Sequence, residues 1–85
     1  MSNLPAWAYE IEVGDPICDK NFTQIGGFVL KHVTIGGKKK WPAYLVENRG
    51  GQQFIIPEDY AKLMGGPEQK YLAKMYELQE RRSQL

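Results

Sequence analysis

The 85-residue chain has one cysteine, Cys18, and one histidine, His32. No internal disulfide can form, so the staple common in small secreted domains is absent. A zinc site needs about four ligands drawn mainly from Cys and His, and two such residues cannot supply it. The first residues, Met-Ser-Asn-Leu-Pro, do not follow the basic-then-apolar pattern of a signal peptide. No apolar run reaches the roughly 18 residues of a membrane span, which predicts no membrane association and a cytoplasmic location. Charge of one sign is lacking too: the net charge is +1. That falls short of the basic excess of typical nucleic-acid binders.

What is present is a globular composition, 42% hydrophobic and 25% charged, which excludes disorder. The length predicts a single domain. At this size folding buries only about 60% of the unfolded chain's surface, so a partner would add to a thin stability margin. Charge is unevenly spread. Residues 1–19 hold Glu10, Glu12, Asp15 and Asp19 with no base, giving −4. Residues 20–49 carry +5, from Lys20, Lys31, Lys38, Lys39, Lys40 and Arg49 against Glu47. Two readings follow: the segments pair across a sheet, or they form a bipolar surface that orients a partner.

Glycine pairs at 26–27, 36–37, 50–51 and 65–66 punctuate the chain. Tyr9–Val13 alternates apolar and charged residues and predicts a strand, followed by a turn at Gly14-Asp15-Pro16. Ile17-Cys18, Gly26–Val33 (with Thr34-Ile35 as an extension), Trp41–Glu47 and Gln52–Ile56 predict further strands. Pro42 sits near a strand start, where a missing N–H is tolerated. The short connections predict antiparallel hairpins. A short helix is predicted over 57–64, with proline and acids at its start and Gly65 after it. A C-terminal helix is predicted over 67–83, its end at 80–85 fraying. The layout is therefore an N-terminal arm (1–8), a β body closed by the short helix (9–64), and the C-terminal helix. The fold class is α+β.

The stretch from Glu12 to Leu63 resembles an SH3-like small β-barrel. The residues that carry the likeness are Val13-Gly14-Asp15, Ile25–Val29, Ala43–Glu47 and Phe54–Pro57, with a closing helical turn through Tyr60 and Leu63. The likeness covers about 50 residues and implies a barrel; the superfold serves too many functions to imply one. The plasmid-borne type II dihydrofolate reductases share this size and shape. Their Val-Gln-Ile-Tyr run before a proline is not matched at Gln53-Phe54-Ile55-Ile56-Pro57, where glutamine comes one position early and tyrosine is missing.

No catalytic group is predicted. Acid–base chemistry needs a base with a partner in reach, and His32 lies in the apolar run Val29–Val33, where a structural role is expected. Cys18 reads as a small core residue. The acids Glu10, Glu12, Asp15 and Asp19 read as a turn and a solvated strand edge rather than converging cation ligands. No phosphate-binding glycine motif is present, and no cofactor is predicted.

Two binding signals remain. The C-terminal helix carries Tyr71, Leu72, Met75 and Leu78 as one stripe ending near Arg82. That stripe either docks on its own body or offers a face to another protein or to a second copy of the chain. Lys70, Lys74, Glu77, Glu80 and Arg81 are expected on its outer, charged side. Trp7, Tyr9 and Trp41 are candidate interface anchors. The second signal is Lys38-Lys39-Lys40-Trp41 on a glycine-hinged loop, with Lys31, His32 and Arg49 as extensions. Lysines there attract phosphates and Trp41 stacks on a base, or the lysines serve solubility and protect a sheet edge. The favoured expectation is a non-catalytic adaptor acting through protein contacts. Accessory subunits and phage- or plasmid-encoded regulators are proteins of this kind. Single-stranded nucleic-acid binding is the alternative.

Overall fold

The computed structural model describes residues 3–83. The fraying expected over 80–85 is not seen at 80–83, which continue the helix; residues 84 and 85 lie outside those described. Within the described residues one antiparallel sheet of five strands carries a C-terminal helix. The strands are β1 (Pro16–Asp19), β2 (Gly26–Ile35), β3 (Trp41–Glu47), β4 (Gln53–Pro57) and β5 (Ala61–Leu63), in the order β4-β3-β2-β1-β5. The outer strands β4 and β5 do not pair with each other, so the sheet is not closed into a barrel.

Each hairpin is set locally. Between β3 and β4 the Asn48 side-chain oxygen accepts from the N–H groups of Gly50 and Gln52, both at 2.9 Å, and Gly51 takes φ +85°. This is the Asx chemistry of a tight turn. Asp19 caps the β1–β2 loop by accepting from the N–H groups of Asn21 (2.7 Å) and Phe22 (3.1 Å). The pair Gly26-Gly27 is not a turn. It opens β2, where a Cβ on Gly27 would stand 2.4 Å from the carbonyl oxygen of Glu47. Glycine is required there because two backbones approach closely.

The main apolar cluster lies on one face of the sheet. Ile17, Val29, Tyr44, Val46, Ile56, Ala61 and Leu63 form it, with Ile11 and Phe54 packed against it; Cys18 and Ala43, at alternate strand positions, are buried on the other face. The register explains the selection. Val29 pairs with Val46, which pairs with Phe54; beyond a bulge at Leu30, His32 pairs with Tyr44, which pairs with Ile56. Paired residues share a face, so these rows lie on the cluster's side of the sheet, with His32 at its exposed margin.

Three expected elements differ. Tyr9–Val13 is not a strand: Ala6–Tyr9 forms a 3-10 turn, and Glu12 to Asp15 closes a turn on itself through reciprocal hydrogen bonds of 2.8 and 3.0 Å. The arm is accordingly part of the fold, with Ala8 fully buried. The helix over 57–64 shrinks to a 3-10 turn at Glu58–Tyr60, and Ala61–Leu63 instead pairs with β1 as β5. Three residues are too few to display a strand period. Placing Ala61 and Leu63 in the core outweighs their helix propensity.

The helix α1 (Gly66–Ser83) follows Gly65 and Gly66, both at φ +77°. It touches the Ala6–Tyr9 turn and β5, and every residue from Tyr76 to Arg82 is exposed. The radius of gyration is 14.5 Å and the longest extent 49 Å. A compact chain of this length has a radius near 12 Å, so α1 extends well past the body.

Candidate functional site

The N-terminal half of α1 is held through a charged residue. The Lys70 ammonium lies 2.8 Å from Asp15 Oδ2 and 3.2 Å from Glu12 Oε1, and it donates to the Glu10 carbonyl oxygen at 2.6 Å. Its three donors are thus all used. Only 13% of the Lys70 side chain and 17% of Asp15's are exposed. Burial alone would lower the Lys70 pKa; hydrogen bonds and charge from Asp15 and Glu12 outweigh it and raise the pKa above the ordinary lysine value. Beside this cluster Trp7 stacks on Tyr71, with ring centroids 5.9 Å apart and planes inclined by 22°.

These contacts bear on the two orientations left open for the helix. Lys70, Ala73 and Glu77 line the cleft of about 680 Å³ between α1 and the body, together with Trp7, Asp15 and Leu63. They lie on one side of an α-helix, since each residue advances about 100° around the axis. Leu72, Met75, Leu78, Gln79 and Arg82 lie on the other side, around a shallow depression shared with Tyr76. The side carrying Lys70, expected to face solvent, faces the protein; of the apolar stripe Tyr71 packs inward on Trp7, while Leu72, Met75 and Leu78 turn to solvent. Leu72 is 47% and Leu78 40% exposed, and Met75 is half-buried. Of the expected interface residues, Trp7 and Tyr71 are engaged with each other inside the chain, while Leu72, Met75 and Leu78 share an open face.

The second surface is the outer face of the sheet. Lys31, Leu45 and Ile55 form one cross-strand row; Val33, Ala43 and Pro57 form the next; Ile35 and Trp41 end it. Trp41 is 51% exposed. Lys38, Lys39 and Lys40 lie on the adjoining hairpin loop, exposed and without an ion pair among the described residues. Lys31 thus shares the Trp41 face. Arg49 does not join them: it sits in the β3–β4 turn, at the far end of a seven-residue strand, or roughly 20 Å away. His32 is on the opposite, core face, with its ring edge-on to Tyr44 at 5.2 Å. The acidic segment does not pair with this basic loop. Glu12 and Asp15 pair instead with Lys70 on α1, a contact 58 residues distant for Glu12. Sequence patterning carried no signal for it.

Cys18 is buried, and among the described residues no group of three or more His, Cys, Asp or Glu is placed to hold a metal ion. No helix among the described residues is long and apolar enough to cross a membrane. Compared with protein-family models, curated proteins and solved structures, the chain finds no match.

Proposed function

We propose that this chain is a small non-catalytic binding module that acts through protein contacts. One observation carries the reading: α1 is fixed to the body by its charged side, leaving the apolar side of Leu72, Met75 and Leu78 turned to solvent. A helix on a globular body ordinarily buries its apolar stripe. The inverted arrangement exposes apolar area that a partner would remove from water at about 25 cal/mol per Å². The sheet is then an open relative of the SH3-like barrel, a reading supported by its strand order and by the 3-10 turn before β5. Its task is to present α1, as an accessory subunit or a regulator of a larger cytoplasmic assembly. The test compares capture from native lysate by the wild-type chain and by Met75→Glu/Leu78→Glu, with circular dichroism confirming that both are folded. A partner retained by the first and lost by the second supports the proposal. Capture that is identical for both removes its basis.

A second reading has its own observation. Trp41 and Lys31 share an exposed sheet face beside the unpaired lysines 38–40. Single-stranded nucleic acid fits that combination of a stacking ring and phosphate-attracting charge. Three lysines give weak, salt-sensitive binding, which ranks this reading second.

A further inference from the structure

The solvent side of α1 has an internal symmetry. Glu68 and Arg82 both stand seven residues from Met75, and Leu72 and Leu78 three. Residues three, four and seven apart share one face of a helix, so all of these project around a stripe centred on Met75. Acid marks one end of the stripe and base the other. Glu68 and Arg82 are exposed, and neither takes an ion pair among the described residues. The seven-residue step from Glu68 through Met75 to Arg82 is also the repeat that lets two helices pack along a seam.

We propose that this face binds the same face of a second copy of the chain, with the two helices antiparallel and a two-fold axis at Met75. The inference rests on the protein-contact reading above and names the partner. In the antiparallel pair Met75 meets Met75, Leu72 meets Leu78, and Glu68 of each copy meets Arg82 of the other. An isologous contact of this kind must be self-complementary, and this face is. A parallel pair would set Glu68 against Glu68 and Arg82 against Arg82. The body is held by Lys70 and Tyr71, near the start of the helix, and Leu72, Leu78 and Arg82 stay exposed. The seam is short, so the dimer dissociates on dilution.

The experiment is sedimentation of the full chain over roughly 5–500 µM, since association of this kind depends on concentration. The expected result is a monomer–dimer equilibrium in the micromolar range, abolished by Met75→Glu. Glu68→Arg alone and Arg82→Glu alone each create two like-charge contacts per dimer. Each is expected to weaken association by about tenfold or more. An equimolar mixture of these two variants restores it, because every end contact again joins opposite charges. Charges at helix ends also act on the dipole of their own helix; mixing cannot reverse an effect of that kind, so rescue on mixing isolates the contact between copies. A wild-type chain that stays monomeric to 500 µM overturns the inference, as does a dimer insensitive to Met75→Glu or a mixture that fails to associate better than its components. A monomer with intact, face-dependent capture from lysate overturns the second copy as partner and leaves the binding-module reading standing.

Discussion

Replacing Lys70 by methionine keeps most of the unbranched apolar stem and removes the charge. The Asp15 contact is charge-assisted, 2.8 Å long and mostly shielded from water. Bonds of that class are worth about 1.5–3 kcal/mol. Glu12 is 56% exposed, which discounts its contact to about 0–1 kcal/mol. The bond to the Glu10 carbonyl adds about 1 kcal/mol. The expected loss is therefore about 2.5–5 kcal/mol. In a domain of this size each kcal/mol moves Tm by about 4–8 °C, so the midpoint falls by roughly 10–40 °C. Thermal unfolding followed by circular dichroism measures it, with Lys74→Met as control. Lys74 is half exposed and stands 3.9 Å from Glu77, so its loss is worth at most about 0.5 kcal/mol. If Lys70→Met melts within 3 °C of Lys74→Met, the anchoring role given to Lys70 is wrong.

The same cluster sets a pH dependence. Because the Lys70 pKa is raised on folding, its stabilising contribution is complete below the unfolded lysine value and lost as pH rises through the folded one. Denaturation midpoints of wild type and Lys70→Met should differ by a constant amount near neutrality and converge only in strongly alkaline solution; convergence near pH 8 would contradict the assignment. Gly27→Ala forces a Cβ to within 2.4 Å of the Glu47 carbonyl oxygen and should cost about 2 kcal/mol or more in urea unfolding. Gly37→Ala meets nothing within 4 Å and should be neutral or slightly stabilising. For the nucleic-acid reading, titrating tryptophan fluorescence with an oligonucleotide should show quenching that is lost in Trp41→Ala, with a log–log salt slope near −2 for three phosphate contacts. Absence of quenching at low salt and micromolar oligonucleotide would leave the lysines as a solvated loop.

Much of the architecture was legible because its causes are local. Trp41–Glu47 is the strand its composition predicts, and Gly26–Ile35 matches the apolar run together with its extension. Glycines at positive φ and the Asn48 turn set the hairpins where short polar segments stood. The helix beginning near Pro67 follows from its 3.6-residue pattern. Ile17 and Cys18, with no alternation to display, were still recognisable as a short strand between turn residues.

The sequence alone determined the α+β class, the boundaries of β2, β3 and the C-terminal helix, and the existence of one apolar helix stripe, because each depends on neighbours along the chain. It could not decide which side of that helix meets the body. Periodicity places Leu72, Met75 and Leu78 together, but Lys70 chooses the docked side by finding Asp15, Glu12 and the Glu10 carbonyl more than 50 residues away. Tertiary structure likewise turned Ala61–Leu63 into a strand by offering the edge of β1, drew Trp7 from candidate anchor to internal stacking partner of Tyr71, and separated Arg49 from the lysine loop by the length of β3. Hydrogen-bond partners and charges far apart in the chain become neighbours only when the sheet is assembled, and local pattern carries no record of that distance.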